Sequence, residues 1–253
     1  MRLTFLGTGT SQGIPVIGCK CTVCQSDNTK DKRLRSSVLI ENEDDIFTID
    51  AGPDFRQQLL KQNTDKLSAI LITHGHKDHI GGLDDVRAFN YLQKTPMNIW
   101  ADNYAIDSIK KEFYYAFAKN KSAGLPRFNL NKITEDKIQI GKTIIIPIPL
   151  LHNKLSVKAF RINNLTYITD ANFISEKSYE LIKGTKILII NALRKEKHIS
   201  HFNLEEALEV IKRVNPNKAY ITHISHLMGT HNSINKTLPN NVSFAYDGLR
   251  IEF

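Results

Sequence analysis

The stretch Ile72-Thr73-His74-Gly75-His76-Lys77-Asp78-His79 decides how this chain is read, because it places three imidazoles and one carboxylate within six positions, directly after an apolar run. That run, Ala69-Ile70-Leu71-Ile72, is short, aliphatic and β-branched, and such runs bounded by turn residues form buried strands. The candidate ligands therefore stand at a strand's C-terminal end. Residues two apart in extended chain point to the same side, so His74 and His76 can converge on one ion. If the chain then turns at Asp78-His79 towards Gly81-Gly82, those two side chains can serve a second ion close by. A single surface histidine would carry no such reading, but this composition at this spacing predicts a metal site, and a two-ion site rather than a one-ion site.

The rest of the chain sets the frame. Its 253 residues can bury a sizeable core, and one domain over residues 1–253 is expected. Hydrophobic residues at 41% and charged residues at 24% are those of an ordinary soluble globular protein. No run approaches a membrane-spanning helix, and Met1-Arg2-Leu3-Thr4-Phe5-Leu6-Gly7 turns polar too soon for a signal peptide, so a cytoplasmic location is expected. An excess of 34 Lys+Arg over 26 Asp+Glu, net +8, favours an anionic substrate or partner. The lysines are scattered without an aromatic-interleaved basic stripe, which makes nucleic acid the less expected partner. Cys19, Cys21 and Cys24 leave one thiol over in any disulfide scheme and instead offer three thiolates to one ion, for which zinc needs a fourth ligand.

Apolar periodicity predicts strands over residues 2–6, 37–40, 46–49 and 98–101 in the first half, with a helix opened by Pro53 and helical chain over 83–92. Asn103 is expected to cap a further helix running to Phe117, and residues 119–137 read as a loop or small lid. In the second half strands are expected over 143–148, 157–162, 166–169, 187–190, 219–222 and 249–253. A helix over 204–214 starts at Asn203 and Glu206, which are spaced as a capping box. Strands followed by helices in each half suggest two packed sheets with helices outside.

His74-x-His76-x-Asp78-His79 after a strand resembles the signature of the metallo-β-lactamase fold superfamily, and Asp78 resembles its branch of phosphodiesterases, ribonucleases and thioester hydrolases. The resemblance implies an α/β fold of the four-layer αββα type. It further implies that His152, after Leu150-Leu151, completes the first site with His74 and His76. Asp170, after Ile168-Thr169, would bridge both ions, and His223, after Ile221-Thr222, would join Asp78 and His79. His226 is assigned to the cysteines, giving a closed Cys19, Cys21, Cys24, His226 set that holds a structural zinc and ties the N-terminal loop to a late loop.

Three further segments narrow the resemblance: Gly7-Thr8-Gly9-Thr10-Ser11-x-Gly13-x-Pro15, Asp50-Ala51-Gly52-Pro53-Asp54-Phe55-Arg56 and Thr222-His223-Ile224-Ser225-His226. Together with the cysteine cluster they resemble, over nearly the whole chain, the phosphoribosyl cyclic phosphate phosphodiesterases of phosphonate degradation. That family implies two active-site ions, for which His and Asp suit manganese or zinc alike, and one structural zinc. The expected chemistry is hydrolysis of a small phosphodiester, cyclic esters included, by a metal-bridging hydroxide. Ions roughly 3.5 to 4 Å apart would lower its pKa to about 7. His201 resembles the family's active-site histidine and is the expected general acid, with Asp170 the other catalytic group.

Several residues are read with less reach. His198, in Lys195-Glu196-Lys197-His198, reads as an exposed histidine. Asn191 stands where relatives carry a carboxylate, so it could hydrogen-bond the His201 ring without stabilising its cation. Arg35 and Arg56 read as phosphate contacts or as surface salt bridges. The expected partner is a small anionic phosphodiester, with no membrane and with a homodimer allowed. The alternatives are a transfer-RNA 3′-processing endonuclease, whose long basic arm has no counterpart in residues 119–137, and a non-catalytic metal-binding accessory protein. A thioester or lactone hydrolase is the third, and the cysteine cluster speaks against it.

Overall fold

The computed structural model describes residues 1–118 and 124–253. Among the described residues fourteen strands form two seven-stranded sheets. The first sheet holds β1 (Arg2–Gly7), β2 (Ser37–Asn42), β3 (Asp45–Ile49), β4 (Ala69–Leu71), β5 (Met97–Ala101) and β6 (Phe128–Lys132), with β14 (Arg250–Glu252) outside β1. The second runs from β7 (Ile138–Ile140) through β8 (Thr143–His152), β9 (Leu155–Ile162), β10 (Leu165–Tyr167), β11 (Ile187–Asn191) and β12 (Lys218–Thr222) to β13 (Val242–Phe244). Each sheet begins with antiparallel hairpins and ends in parallel strands, β3 to β6 in one and β10 to β13 in the other.

Alternation along the strands makes the layers. Val38 and Ile40 of β2 point into the core between the sheets, where they meet Phe160 and Tyr167 of the opposite sheet, while Leu39 points outward. Ile189 faces the same central core, and its neighbours Leu188 and Ile190 face a second, outer core. Strands buried on both faces read as continuous apolar runs for this reason. The outer face of the first sheet is covered by α1 (Phe55–Gln62), α2 (Lys77–Ile80), α3 (Arg87–Gln93) and α4 (Asn103–Glu112). The second is covered by α5 (Glu176–Ile182), α6 (Leu204–Val214) and α7 (His231–Asn235). The result is the expected α/β sandwich of four layers.

The helix α6 shows how local sequence fixes an element. Asn203 Oδ1 accepts from Glu206 N at 2.8 Å and Glu206 Oε2 accepts from Asn203 N at 3.0 Å, so the capping box is complete. Ala207, Val210 and Ile211 form its buried face. Elsewhere the expectations shift. Asp102, not Asn103, caps α4 through a bond to Ala105 N at 2.9 Å, and the helix gives way at Phe113 to a 3-10 turn over Tyr114–Phe117. The region read as a loop over 119–137 contains strand β6, paired in parallel with β5; residues 119–123 lie outside the described part. Among the described residues no helix is long and apolar enough to cross a membrane.

A buried polar network joins the N-terminal loop to the C-terminal segment. Arg33, 3% exposed, donates to Thr8 Oγ1 at 2.7 Å and Ala245 O at 2.6 Å, and its Nη2 lies 3.3 Å from His231 Nδ1. Asp31 accepts from His231 N at 2.6 Å, while Asp247 accepts from Thr8 Oγ1 and Leu34 N at 2.7 Å each. Burial, with Arg33 and Lys30 nearby and only Asp31 opposing, pushes the His231 imidazole down to about 4, and burial pushes the Asp247 carboxyl up to about 6. The two act oppositely on stability. The unfolded chain protonates His231 near its ordinary value of about 6.5 and the folded chain does not, so its contribution is present above that pH and lost towards pH 4. Asp247 holds its proton longer when folded, so its contribution is lost as pH rises from about 4 to 6. In His231→Asn the first effect disappears. The stability lead of the parent chain over this variant, read by urea unfolding, should shrink by roughly 1–2 kcal/mol between pH 7 and pH 4, solvent screening reducing the full effect of the shift.

Candidate metal centre

The site lies where strands of both sheets end. Asp50 follows β3, His74 follows β4, His152 ends β8, Asp170 lies past β10 and His223 follows β12. Three of these, Asp50, Asp170 and His223, have positive φ values of 66°, 55° and 55°. Non-glycine residues held in the left-handed region cluster at functional sites. The loop carrying His79 is pressed onto the loop after β3, with Ala51 N donating to His79 O and Gly82 N to Ala51 O, both at 2.8 Å. Gly52 makes this approach possible, because a Cβ there would stand 2.0 Å from Asp78 O.

The structure brings the expected residues together in overlapping groups whose ligand atoms lie within 4.8 Å of one another: His74, His76 and His152; His74, His79 and Asp170; and Asp78, Asp170 and His223. A fourth group joins His201 to His152 and Asp170. Asp170 is common to three of them. Its Oδ2 lies 3.2 Å from His79 Nε2 and 3.2 Å from His223 Nδ1, and its Oδ1 lies 3.8 Å from His201 Nδ1. Asp78 Oδ2 is also 3.2 Å from His79 Nε2.

This donor set fits divalent cations. The Nε2 atom of His74 is buried without a hydrogen-bond partner among the described residues, and that of His79 faces only the carboxylates of Asp78 and Asp170, at 3.2 Å and without an aligned hydrogen bond; buried nitrogens are rarely left so. Their other ring nitrogens are held in the manner of metal-binding imidazoles. His79 Nδ1 lies 2.7 Å from Asp50 Oδ2, and His74 Nδ1 lies 3.0 Å from Thr73 Oγ1, itself bonded to Asp50 at 2.9 Å. His152 Nδ1 donates to Ser200 O at 2.6 Å. His223 is flanked by Thr10 Oγ1 at 3.1 Å from Nε2 and Ser36 Oγ at 3.2 Å from Nδ1.

Charge follows the geometry. Burial alone would depress the His79 imidazole, but Asp170, Asp78 and Asp50 hold it well above the ordinary value. Burial likewise disfavours the Asp170 anion, yet His223 and His79 hold its carboxyl well below the usual range. His74 is pushed well down by burial and by His79. His74 is thereby kept neutral, the state metal ligation requires, whereas His79 is held as a cation among three carboxylates and would give up its proton to an incoming metal ion. His201 is pushed down to about 3 by burial and by His223.

Sequence reasoning missed Asp50 as the residue that orients histidines in both groups, though its place at the end of β3, before Ala-Gly-Pro, matches the strand-end position of the others. Asp50→Ala should lower active-site metal affinity 10- to 100-fold, the usual range for such outer partners, measurable by competition with a chromogenic chelator. Asn191 makes no hydrogen bond to His201. Its Oδ1 accepts from Ala171 N and its Nδ2 donates to Ala171 O, both at 2.9 Å, so it pins the residue beside Asp170. Arg35 is ion-paired with Asp54 at 3.0 Å, Arg56 is exposed, and His198 is half-buried with its ring centroid 5.2 Å from that of His201.

A separate cluster gathers Cys19, Cys21, Cys24 and His226 within the same 4.8 Å limit. His226 Nδ1 lies 3.3 Å from Cys19 Sγ and 3.4 Å from Cys21 Sγ. The Cys24 N–H and His226 bring the Cys21 thiol down to about 6, while burial pushes Cys24 up to about 11. Three sulfurs and one nitrogen so placed suit a four-coordinate zinc.

Comparison with known proteins agrees with this architecture. Residues 46–224 match the model of the β-lactamase superfamily domain. The chain belongs to that superfamily. A structure described as a new diphosphatase from the PhnP family superposes with a TM-score of 0.93 at 35% identity, covering 100% of this chain and 97% of that one. Zinc-bound PqqB from Methylobacterium extorquens, at 16% identity and a TM-score of 0.81 over the full length of both chains, shares the fold. Over 252 residues the chain is 35% identical to a protein of Porphyromonas gingivalis named octanoyltransferase, covering 98% of this chain and 51% of that protein. The chain thus spans about half the length of the curated relatives it matches. Membership and the PhnP-family likeness support a metal-dependent hydrolase.

Proposed function

We propose that the protein is a dinuclear-metal-dependent hydrolase of small phosphodiesters, cyclic esters included. The observation that carries this reading is the position of Asp170, one buried carboxylate within reach of both histidine groups and of His201. His74, His76 and His152 would hold one ion, Asp78, His79 and His223 the other, and Asp170 both. Bound there, divalent ions supply an activated water and polarise a phosphoryl oxygen. Manganese and zinc both suit this set. The diphosphatase description of the PhnP-family relative extends the candidate bonds to a phosphoanhydride, which poses the same demands.

The chain's own residues supply the rest. Asp50, through Thr73 and His79, keeps the ligand rings turned inward. His201 stands between His152 and His223, with ring centroids 4.5 Å and 5.0 Å away, and its Nδ1 is buried without a partner among the described residues. An incoming phosphoryl anion gives this imidazole the opposite charge that favours its cation. It can then hand a proton to the departing alkoxide. His201→Ala should lower kcat on a cyclic nucleoside phosphate, whose leaving group is an alkoxide, by about 10²- to 10⁴-fold while bound metal stays the same. Loss of metal with activity would instead make His201 a ligand. Chelation of the parent protein should abolish turnover, and added Mn²⁺ or Zn²⁺ should restore it; turnover that survives chelation would overturn the reading.

A further inference from the structure

Strand β8 has an edge that β7 covers only as far as Ile145. Beyond that point Leu151 bonds outward, its N–H donating to Phe173 O at 3.2 Å and its carbonyl accepting from Asn172 N at 2.9 Å. Alternate residues of a strand present their backbone groups to the same edge, so positions 147 and 149 face outward as well. Both are proline and have no N–H to give. Pro149 O is already taken by Ser178 Oγ at 2.6 Å. A further peptide strand therefore cannot add here.

A cavity of about 450 Å³ opens along this edge, within the size range of small-molecule sites. None of the metal-centre residues lines it. Its apolar walls are Pro147, Pro149, Ile133 just past β6, and Leu181 of α5. Lys158 is half-buried and stands directly opposite Pro149 in the β8–β9 ladder, on the same face. Lys132 and Lys177 complete the basic part of the lining. The one acid there, Glu135, is ion-paired with Lys177 at 3.1 Å. Among the described residues the ammonium groups of Lys132 and Lys158 make no hydrogen bond and no ion pair.

We propose that this cavity is a second binding site, for a small organic anion with an apolar body. Lys158 and Lys132 would hold the anionic head, and the proline rings and Leu181 would cover the body. The proposal goes beyond the hydrolase reading of the metal centre and does not depend on it. A cation partly withdrawn from water gains more from an opposite charge than an exposed one does, and burial of the apolar body adds to the affinity.

Calorimetric titration of the metal-loaded protein with 2-naphthoate, with the uncharged 2-naphthol of similar shape, and with acetate tests it. The parent chain should bind naphthoate about tenfold more tightly than naphthol or acetate, since only naphthoate offers both head and body. Lys158→Met keeps the aliphatic stem and removes the charge, so it should lower naphthoate affinity about tenfold and leave naphthol binding as it was. Lys132→Met, at an exposed position that should leave the fold intact, is expected to act in the same direction, and Lys158→Arg should retain most of the affinity. Naphthoate binding unchanged in both methionine variants would place the probe at the metal ions or elsewhere on the surface. Equal affinity of the parent chain for naphthoate and naphthol, or equal losses for both probes in both methionine variants, would deny the lysines a role in holding the head. Any of these results overturns the proposal, and none of them depends on whether the protein turns over a phosphodiester.

Discussion

Asp170→Asn is expected to abolish the active centre, lowering both active-site metal affinity and turnover by more than the roughly 100-fold that marks the upper range for an outer partner. Asparagine has nearly the same shape, so the fold should survive; what changes is charge. Asp170 is 2% exposed, and its Oδ2 is the atom that His79 Nε2 and His223 Nδ1 both face at 3.2 Å. An amide replaces an anion with a neutral group that cannot offset two cations, and its NH₂ end would point a donor at donors. Metal analysis after gel filtration, together with kcat/KM on a chromogenic diester, reads the result. A variant that retains two equivalents of metal and turnover within about tenfold of the parent would show that Asp170 does not serve both ions.

Cys21→Ser should give the largest change in stability. Zinc binding by such ligand sets is worth about 10–16 kcal/mol in peptides that fold only around the ion. Here the same loop has other anchors, among them the Arg33 and Asp247 bonds to Thr8, Leu34 and Ala245. A fraction of that figure, on the order of 3 kcal/mol, is therefore expected, or roughly 6–12 °C in Tm for a chain of this size. Calorimetry of the parent and the variant, with zinc content measured on each, checks it. Because Thr10 Oγ1 in the same N-terminal loop lies 3.1 Å from His223 Nε2, the loss should also loosen the neighbouring active-site metal group. Equal melting temperatures with zinc absent from both would mean that the cluster holds no structural ion.

Much of this was legible in the sequence where local chemistry and long-range packing agree. The strand runs ending in His74, Asp170 and His223 are apolar on both faces, and α6 carries its own capping box, so their places follow from periodicity alone. Short edge elements were not legible. Strands β6, β7 and β13 and helices α5 and α7 have three to seven residues each, too few to show a period, and tertiary pairing decides them. The site divides the same way. His74, His76, Asp78 and His79 are close in sequence, whereas the hub formed by Asp50 and Thr73 depends on which strands pair, here β3 beside β4. Asn191 shows the converse, since its position in the chain suggested a contact with His201 and the strand register spends both ends of its amide on Ala171.

Turnover by the metal-loaded protein on a parallel panel of cyclic phosphates, linear phosphodiesters, oligonucleotides and thioesters tests the central claim most directly. The account predicts hydrolysis of small phosphodiesters, dependent on metal and lost in Asp170→Asn, with little activity on oligonucleotides or thioesters. Full occupancy of both active-site ions with no turnover of any phosphodiester, or hydrolysis confined to thioesters, would contradict it.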